Sequence, residues 1–396
     1  MTQVNRTNAI AATTTGAPVP GVNLLALRSH NAALVLDLLR TAGAEGISRL
    51  ELAERTGLTP QAVSKITARL RTEGLAAQAG HRASTGGKPR TLLRLVPETG
   101  HAVGVHLDRD EVRAVLVDLM GSVVAERRAP LDLGAGSQAV VEGTAGVVEA
   151  LLGGGAGPAP EWERDAGGSG EAGVGGVGVL GVGVALPGPL DHVRGVLHRV
   201  TGFPEWDGFP LRDALARRLG VPVAVDKDTN AAAFGLALGG EGGSFAYLHL
   251  GTGLGAGLVI GGTLHRGTRT GAGEFGHQVV QLDGPPCGCG DRGCVEALCL
   301  AAVARGDLDE AARVLGVGAA NLVGLLDIDR VLLGGRTIAA DPERFVRGVA
   351  TVLAERARRE GADRPVPVRV APGGARTVAE GAAQLLLAPL FGRAEG

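Results

Sequence analysis

Apolar positions in the first hundred residues recur at helical spacing. Ala33, Leu36 and Leu39 share one stripe of residues 30–41 and predict a helix. A second helix is predicted at SRLELAERTG, with Ser48 as N-cap, Glu51 at capping-box spacing and Gly57 as the stop. A third starts at Thr59 with Pro60 in its first turn. Its inward stripe is Val63, Ile66 and Leu70, and its outward face carries Gln61, Ser64, Lys65, Ala68 and Arg69. Two strand-like runs then flank a Gly-rich basic tip in LAAQAGHRASTGGKPRTLLRLVPE. From His101 the period becomes two, and HAVGVHLDRDEVRAVLVDLMGSVVAERRAPL reads as a three-stranded meander. Residues 137–152 read as a helix, and VGVLGVGVALPGPL as a buried strand ending at Pro187-Gly188-Pro189. VPVAVDKDTNAAAFG reads as a strand followed by a helix. Near the C-terminus come a helix over 341–360, the strand VPVRV and a last helix from Thr377 to Leu387.

Between these elements lie two stretches of another kind. Residues 1–22 predict a disordered tail, and the low-complexity run 153–176 a flexible Gly-rich loop. The N-terminus lacks the apolar core of a signal peptide, and no apolar run reaches the length of a membrane span. A cytoplasmic location without membrane partners is therefore expected, and there thiols stay reduced. The 396 residues suffice for two or three domains.

Charge separates the helical N-terminal part from the rest. Residues 28–96 carry eleven Lys/Arg against five Asp/Glu, a local +6 in a chain whose net charge is −2. A basic module on an acidic body predicts a nucleic-acid partner for the first part only. Two short helices around a Gly-containing turn make a helix-turn-helix candidate. Its second helix would enter the major groove by its N-terminal end. Gln61 suits an adenine edge, Ser64 and Lys65 suit bases or phosphate, and Arg69 lies on the same face. The following hairpin resembles the wing of a winged helix, with His81, Arg82, Lys88 and Arg90 facing phosphate or the minor groove. The competing reading is a helical cap with solvated charges.

The densest chemistry lies in EFGHQVVQLDGPPCGCGDRGCVE, residues 274–296. It holds Cys287, Cys289 and Cys294, with His277 ten residues before the first of them. One imidazole and three thiolates fill a closed tetrahedral zinc site, which has no open position for water and is therefore structural. The competing reading is three reduced thiols in a Gly-rich loop. The fourth cysteine, Cys299, reads as a small core residue.

Glu274-Phe275-Gly276-His277 followed by Cys287-Gly-Cys-Gly-Asp-Arg-Gly-Cys-Val-Glu296 resembles the paired signature of the ROK family, which groups repressors and sugar kinases. The resemblance extends from about residue 23 over nearly the whole chain. It implies that His277 and the three cysteines bind zinc, and that Glu274, His277 and Glu296 face a sugar. It also implies a two-lobed, actin-like ATPase body. The resulting α/β organisation has three parts: the tail 1–22, a winged helix-turn-helix over 23–97 and a body over 98–396. Within the body, one lobe is expected at about 98–225 plus 377–396, and the other at about 226–376.

Several positions depart from the family pattern. The first phosphate turn, Asp-x-Gly-Gly-Thr-Lys in the kinases, corresponds to His106, Leu107, Asp108, Arg109, Asp110 and Glu111. Three acids there repel a triphosphate, with Arg109 opposing one charge. The turn Leu250–Gly257 is intact, and Gly334-Gly335 matches the adenosine side. Asp228 matches the general base of the kinases, although an Asp before NAAA also suits a helix N-cap. Lys227 replaces a sugar-binding Asn; it either pairs with Asp226, Asp228 or Glu274, or recruits an acidic or phosphorylated sugar. Gly202 replaces another sugar-contacting Asn, while Trp206 and Asp207 are retained. Only about twenty residues separate Glu296 from the helix expected near Leu315, so part of the second lobe's helical cover is missing.

The expectation is thus a DNA-binding repressor of carbohydrate-utilisation genes. It would act as a homodimer or homotetramer on double-stranded operator DNA, controlled by a sugar at Lys227, Asp228, Glu274, His277 and Glu296. No catalytic residue is expected, and ATP is not expected as a cofactor. The alternatives are an ATP-dependent sugar kinase with Asp228 as base, or a DNA-binding regulator that no longer senses a sugar.

Overall fold

The computed structural model describes residues 24–82, 90–153, 178–200 and 202–393. The expected tail, the tip of the basic hairpin with Lys88, and nearly all of the Gly-rich run lie outside these residues.

The N-terminal unit runs α1 (Leu24–Ala42), β1 (Ile47–Ser48), α2 (Arg49–Thr56), α3 (Pro60–Thr72), β2 (Ala76–Arg82) and β3 (Arg90–Leu95). Local chemistry sets its helix starts. Ser48 Oγ accepts from the Glu51 N–H at 3.3 Å while Glu51 Oε2 accepts from the Ser48 N–H at 2.9 Å, a closed capping box. Thr59 Oγ1 accepts from the Ala62 N–H at 3.2 Å ahead of Pro60. α1 begins six residues before the expected start at residue 30. The short β1 was not expected; it pairs with β3, giving the antiparallel order β1-β3-β2.

The body consists of two halves with one strand plan. In the first, β4 (His101–Leu107), β5 (Glu111–Asp118) and β6 (Val123–Pro130) form the expected meander. After α4 (Ser137–Gly153), β7 (Val179–Leu186) joins parallel to β4. The hairpin β8 (Leu190–Asp191) and β9 (Val196–Leu197) and helix α5 (Leu211–Leu219) precede β10 (Val223–Lys227), parallel to β7. Helix α6 (Asp228–Leu238) leads into the second half: β11 (Phe245–Leu250), β12 (Leu254–Ile260) and β13 (Thr263–Leu264). Then come α7 (Val295–Ala304), α8 (Leu308–Leu326), β14 (Arg330–Gly334), α9 (Arg336–Ala340), α10 (Pro342–Glu360), β15 (Val368–Val370) and α11 (Thr377–Leu387). The sheets read β6-β5-β4-β7-β10 and β13-β12-β11-β14-β15, each an antiparallel meander extended by two parallel strands. The shared plan sets two turns opposite each other, after β4 and after β11, and the cleft lies between them.

Each half has its own core, one under Val103, Leu116, Val184 and Trp206, the other under Leu248, Leu315, Phe345 and Val349. Trp206 is fully buried and donates Nε1–H to the Leu133 carbonyl at 3.0 Å, so it is a core residue. The helix expected near Leu315 starts at Leu308, and α7 and α8 alone span the region after Glu296. α11 sits between the units. Ala379, Ala383, Leu387 and the following Phe391 share a core with Val35, Leu39 and Leu93 of the N-terminal unit. On its other side Gly381 touches α6, where a Cβ would strike the Ala231 carbonyl.

Candidate ligand cleft and metal cluster

The four predicted metal ligands come together. The donor atoms of His277, Cys287, Cys289 and Cys294 all lie within 4.8 Å of one another. Cys287 Sγ is 3.6 Å from His277 Nδ1, and Cys289 Sγ is 3.8 Å from Cys294 Sγ. Metal–sulfur bonds of about 2.3 Å in a tetrahedron set ligands about 3.8 Å apart, so the donor set fits a closed site. The loop is built for this closure. The Val295 N–H reaches the Gln278 carbonyl at 2.9 Å and the Val280 N–H the Gly293 carbonyl at 3.0 Å. Gly293 has φ +66°, and a Cβ there would overlap the Gln281 carbonyl. Burial pushes the Cys294 thiol up to about 12, so without a metal it stays protonated. Cys299 is buried, with Sγ toward the Ala311 carbonyl at 3.5 Å, a core residue as expected.

The cluster joins the Glu274–His277 turn to the start of α7, and so aims Glu274, His277 and Glu296 into one cleft. Asp108, Arg109, Lys227, Asp228, His249 and Thr252 complete its walls around a cavity of about 80 Å³. Lys227 is buried and donates to the Ala272 carbonyl at 2.6 Å and to Glu274 Oε1 at 2.9 Å. Of the pairings open from the sequence, the one with Glu274 is formed. Gly188 makes room for the Lys227 stem, since a Cβ there would lie 2.6 Å from its Cδ. Asp226 is fully buried and holds Arg266 Nε at 2.8 Å, Asn230 Nδ2 at 3.0 Å and the Lys227 N–H at 2.7 Å.

Asp228 is not the N-cap of α6. That position belongs to Lys227, and Asp228 is the first helical residue. Among the described residues its Oδ1 accepts only from the adjacent Thr229 N–H, at 2.6 Å, and its carboxylate lines the cleft. Glu296 Oε2 accepts from the Leu254 N–H at 2.8 Å.

The altered phosphate turn corrects one expectation. Glu111 does not face the cleft; it pairs with Arg128 Nε at 2.7 Å and Arg113 at 3.5 Å on the sheet. Its place as the first residue of β5 turns it to the outer face. Asp108 and Asp110 do face the other half, and they are answered there. Arg336 donates to both oxygens of Asp110 at 2.9 Å and lies 3.7 Å from Asp108 Oδ2. Thr252 donates to Asp108 Oδ1 at 2.7 Å. Burial works to raise the Asp108 carboxyl, but the Thr252 hydroxyl, His106, the Arg109 N–H and Arg336 together hold it below the usual range. Beneath it His106 is buried with Nε2 unpartnered, and burial, then His249, push it down to about 4.

Sequence reasoning missed Arg336, Thr252, His249 and Arg266. Arg336 carried a usable signal: it directly follows Gly334-Gly335, the turn expected beside the cleft.

In the N-terminal unit, Gln61, Ser64, Lys65 and Arg69 share the exposed face of α3, while Val63, Thr67 and Leu70 face inward. Arg69 Nε pairs with Glu73 at 2.6 Å. Arg90 is exposed and stands opposite Arg82 in the hairpin register.

A family model described as the ROK family matches residues 174–305. The crystal structure of a ROK hexokinase from Thermus thermophilus is 31% identical, has a TM-score of 0.54, and covers 73% of this chain and 98% of that one. The chain belongs to the ROK family. A ROK family transcriptional regulator, a homolog of the E. coli MLC protein, shares the fold at TM-score 0.69 and 20% identity. It covers 93% of this chain and 98% of that one, more than the body alone can fill. The Escherichia coli K12 DNA-binding transcriptional dual regulator NagC is 31% identical over 284 residues, 70% of this chain. That match spans 64% of NagC, less than two thirds of its length. No helix among the described residues is long and apolar enough to cross a membrane.

Proposed function

We propose that this ROK protein is a transcriptional repressor whose winged helix-turn-helix, residues 23–97, releases or grips operator DNA according to a sugar in the cleft. The observation that carries this reading is the exposed face of α3. Gln61, Ser64, Lys65 and Arg69 stand clear of the core while Val63 and Leu70 anchor the helix behind them. Base edges would be met by Gln61 and Ser64, and phosphates by Lys65, Arg69 and Arg90 with the hairpin residues Arg82 and Lys88. Two copies would meet half-sites about 34–36 Å apart or a multiple of that.

In the cleft, Asp228 and Glu296 carry carboxylates with one hydrogen bond each and accept from sugar hydroxyls. Glu274, already held by Lys227, keeps one oxygen for the ligand. The metal at His277, Cys287, Cys289 and Cys294 is zinc in this reading. Held by these four side chains, it would be closed to water and would fix the loop that shapes the ligand face. Having Nδ1 turned to the thiols leaves His277 its Nε2 for the cleft. Phosphoryl transfer is disfavoured because the first phosphate turn is occupied by its own ion pairs. Asp108 and Asp110 hold Arg336 and Thr252 where a nucleotide would need neutral glycine backbone.

The test is a gel-shift titration of the full chain against its own upstream DNA, beside an ATP-turnover assay with hexoses. Binding that weakens when Lys65 is replaced by Ala, with no turnover above an Asp228→Ala control, supports the repressor. Turnover well above that control with no DNA shift supports the kinase instead.

A further inference from the structure

Among the described residues, Lys227 and Arg109 line the cleft as cations, and one of them is already paired. Lys227 is consumed by Glu274 and the Ala272 carbonyl. Arg109 is not. Its backbone is fixed, with the N–H on Asp108 Oδ1 at 2.8 Å and the carbonyl accepting from Leu133 at 3.0 Å. Its guanidinium makes no hydrogen bond or ion pair among the described residues and lies over the Phe203 ring at 5.6 Å.

Glycines flank this guanidinium on both sides. A Cβ on Gly202 would stand 3.6 Å from Nη1, and one on Gly253 would stand 3.6 Å from Nη2. Arg109 therefore reaches from the 202–203 segment of the first half to the turn after β11 in the second. A Cβ at either glycine would meet the guanidinium only at ordinary van der Waals distance. A rigid fork of donors facing a cavity, stacked on an aromatic ring and lacking an acceptor, matches a carboxylate or phosphate group. Glu296 Oε2 borders the same Gly253 position as the guanidinium, and Asp228, elsewhere in the lining, accepts from the Thr229 N–H.

We propose that the effector is an anionic sugar, its carboxylate or phosphate held by Arg109 and its hydroxyls by Asp228 and Glu296. This rests on reading the cleft as the effector site. On Arg109 the anion meets a cation, whereas on Asp228 it would meet a like charge.

Calorimetry on the full chain tests it, with glucose, galactose and xylose against glucuronate, galacturonate and glucose 6-phosphate, for wild type and Arg109→Leu. The expected result is an acidic sugar binding at least tenfold more tightly than its neutral parent, with that preference abolished in Arg109→Leu. The uronate and phosphate arms tell which anionic group is recognised. Raising NaCl should weaken the acidic sugar and leave a neutral one unchanged, a readout that does not depend on the variant folding. A neutral sugar binding as tightly as its acidic form overturns the proposal and leaves a sugar-controlled protein standing. No binding by any of these sugars overturns both.

Discussion

His106 is buried beneath the cleft with an unpartnered ring nitrogen, and this makes it a source of acid sensitivity. Burial first, then His249, lower its pKa to about 4, against the attraction of Asp228, Asp108 and Glu111. The unfolded chain therefore takes up a proton near pH 6.5, before the folded chain does. Its contribution to stability is complete above that pH and is lost as pH falls from about 6.5 towards 4, at up to about 1.4 kcal/mol per pH unit. Denaturant titrations at intervals between pH 7 and 5 should show a shallower fall for His106→Phe than for wild type. Parallel falls would remove His106 as the cause. A second residue-level expectation concerns the metal cluster. Cys289 is exposed but supplies one of the four donors, so if the cluster holds zinc as proposed, Cys289→Ser should purify without it, read by metal analysis. Retention of one equivalent would contradict the ligand set.

At the scale of elements, α3 is the part whose behaviour is easiest to isolate. If Lys65 and Arg69 neutralise phosphates, replacing either by Ala should weaken DNA binding. It should also lower the slope of log affinity against log salt by about 1. Arg69 already pairs with Glu73, but this i,i+4 pair is exposed and solvent-screened, so phosphate readily displaces it. An unchanged slope for both variants would remove them from the interface.

The helices and strands around α3 were legible because local chemistry sets them: Ser48 with Glu51, Thr59 with Pro60, and the period-two run from His101. The metal cluster was legible because all four donors lie within eighteen consecutive residues. The cleft was legible only in part. Which way Glu111 turns depends on the register of β5 against β6. The Asp110–Arg336 pair joins residues 226 apart, and no local pattern announces it. Lys227 declared its chemistry but not its partner, since three carboxylates stood within reach in sequence, and only the fold selects Glu274.

At the scale of the molecule, the two proposed sites are joined by continuous packing. Asp228 begins α6, α6 packs on α11 at Gly235 and Gly381, and α11 leads to Phe391. Phe391 lies under Arg40 at 4.9 Å from the ring centre, and Arg393 pairs with Asp37 at 3.1 Å. A ligand that shifts α6 thereby bears on α1, and coupling between two such sites is typically about 1–3 kcal/mol. Phe391→Ala should cost about 3 kcal/mol of stability. In melts and binding assays run well below its lowered melting point, it should retain DNA binding but lose much of the ligand response. A full response in that variant would place the coupling elsewhere.

The most direct measurement is operator affinity by fluorescence anisotropy, without ligand and with saturating effector, for wild type and Asp228→Asn. Control of DNA binding from the cleft predicts a change of about 5- to 150-fold in wild type and a much smaller one in the variant. Equal wild-type affinity with and without every acidic and neutral sugar would contradict it.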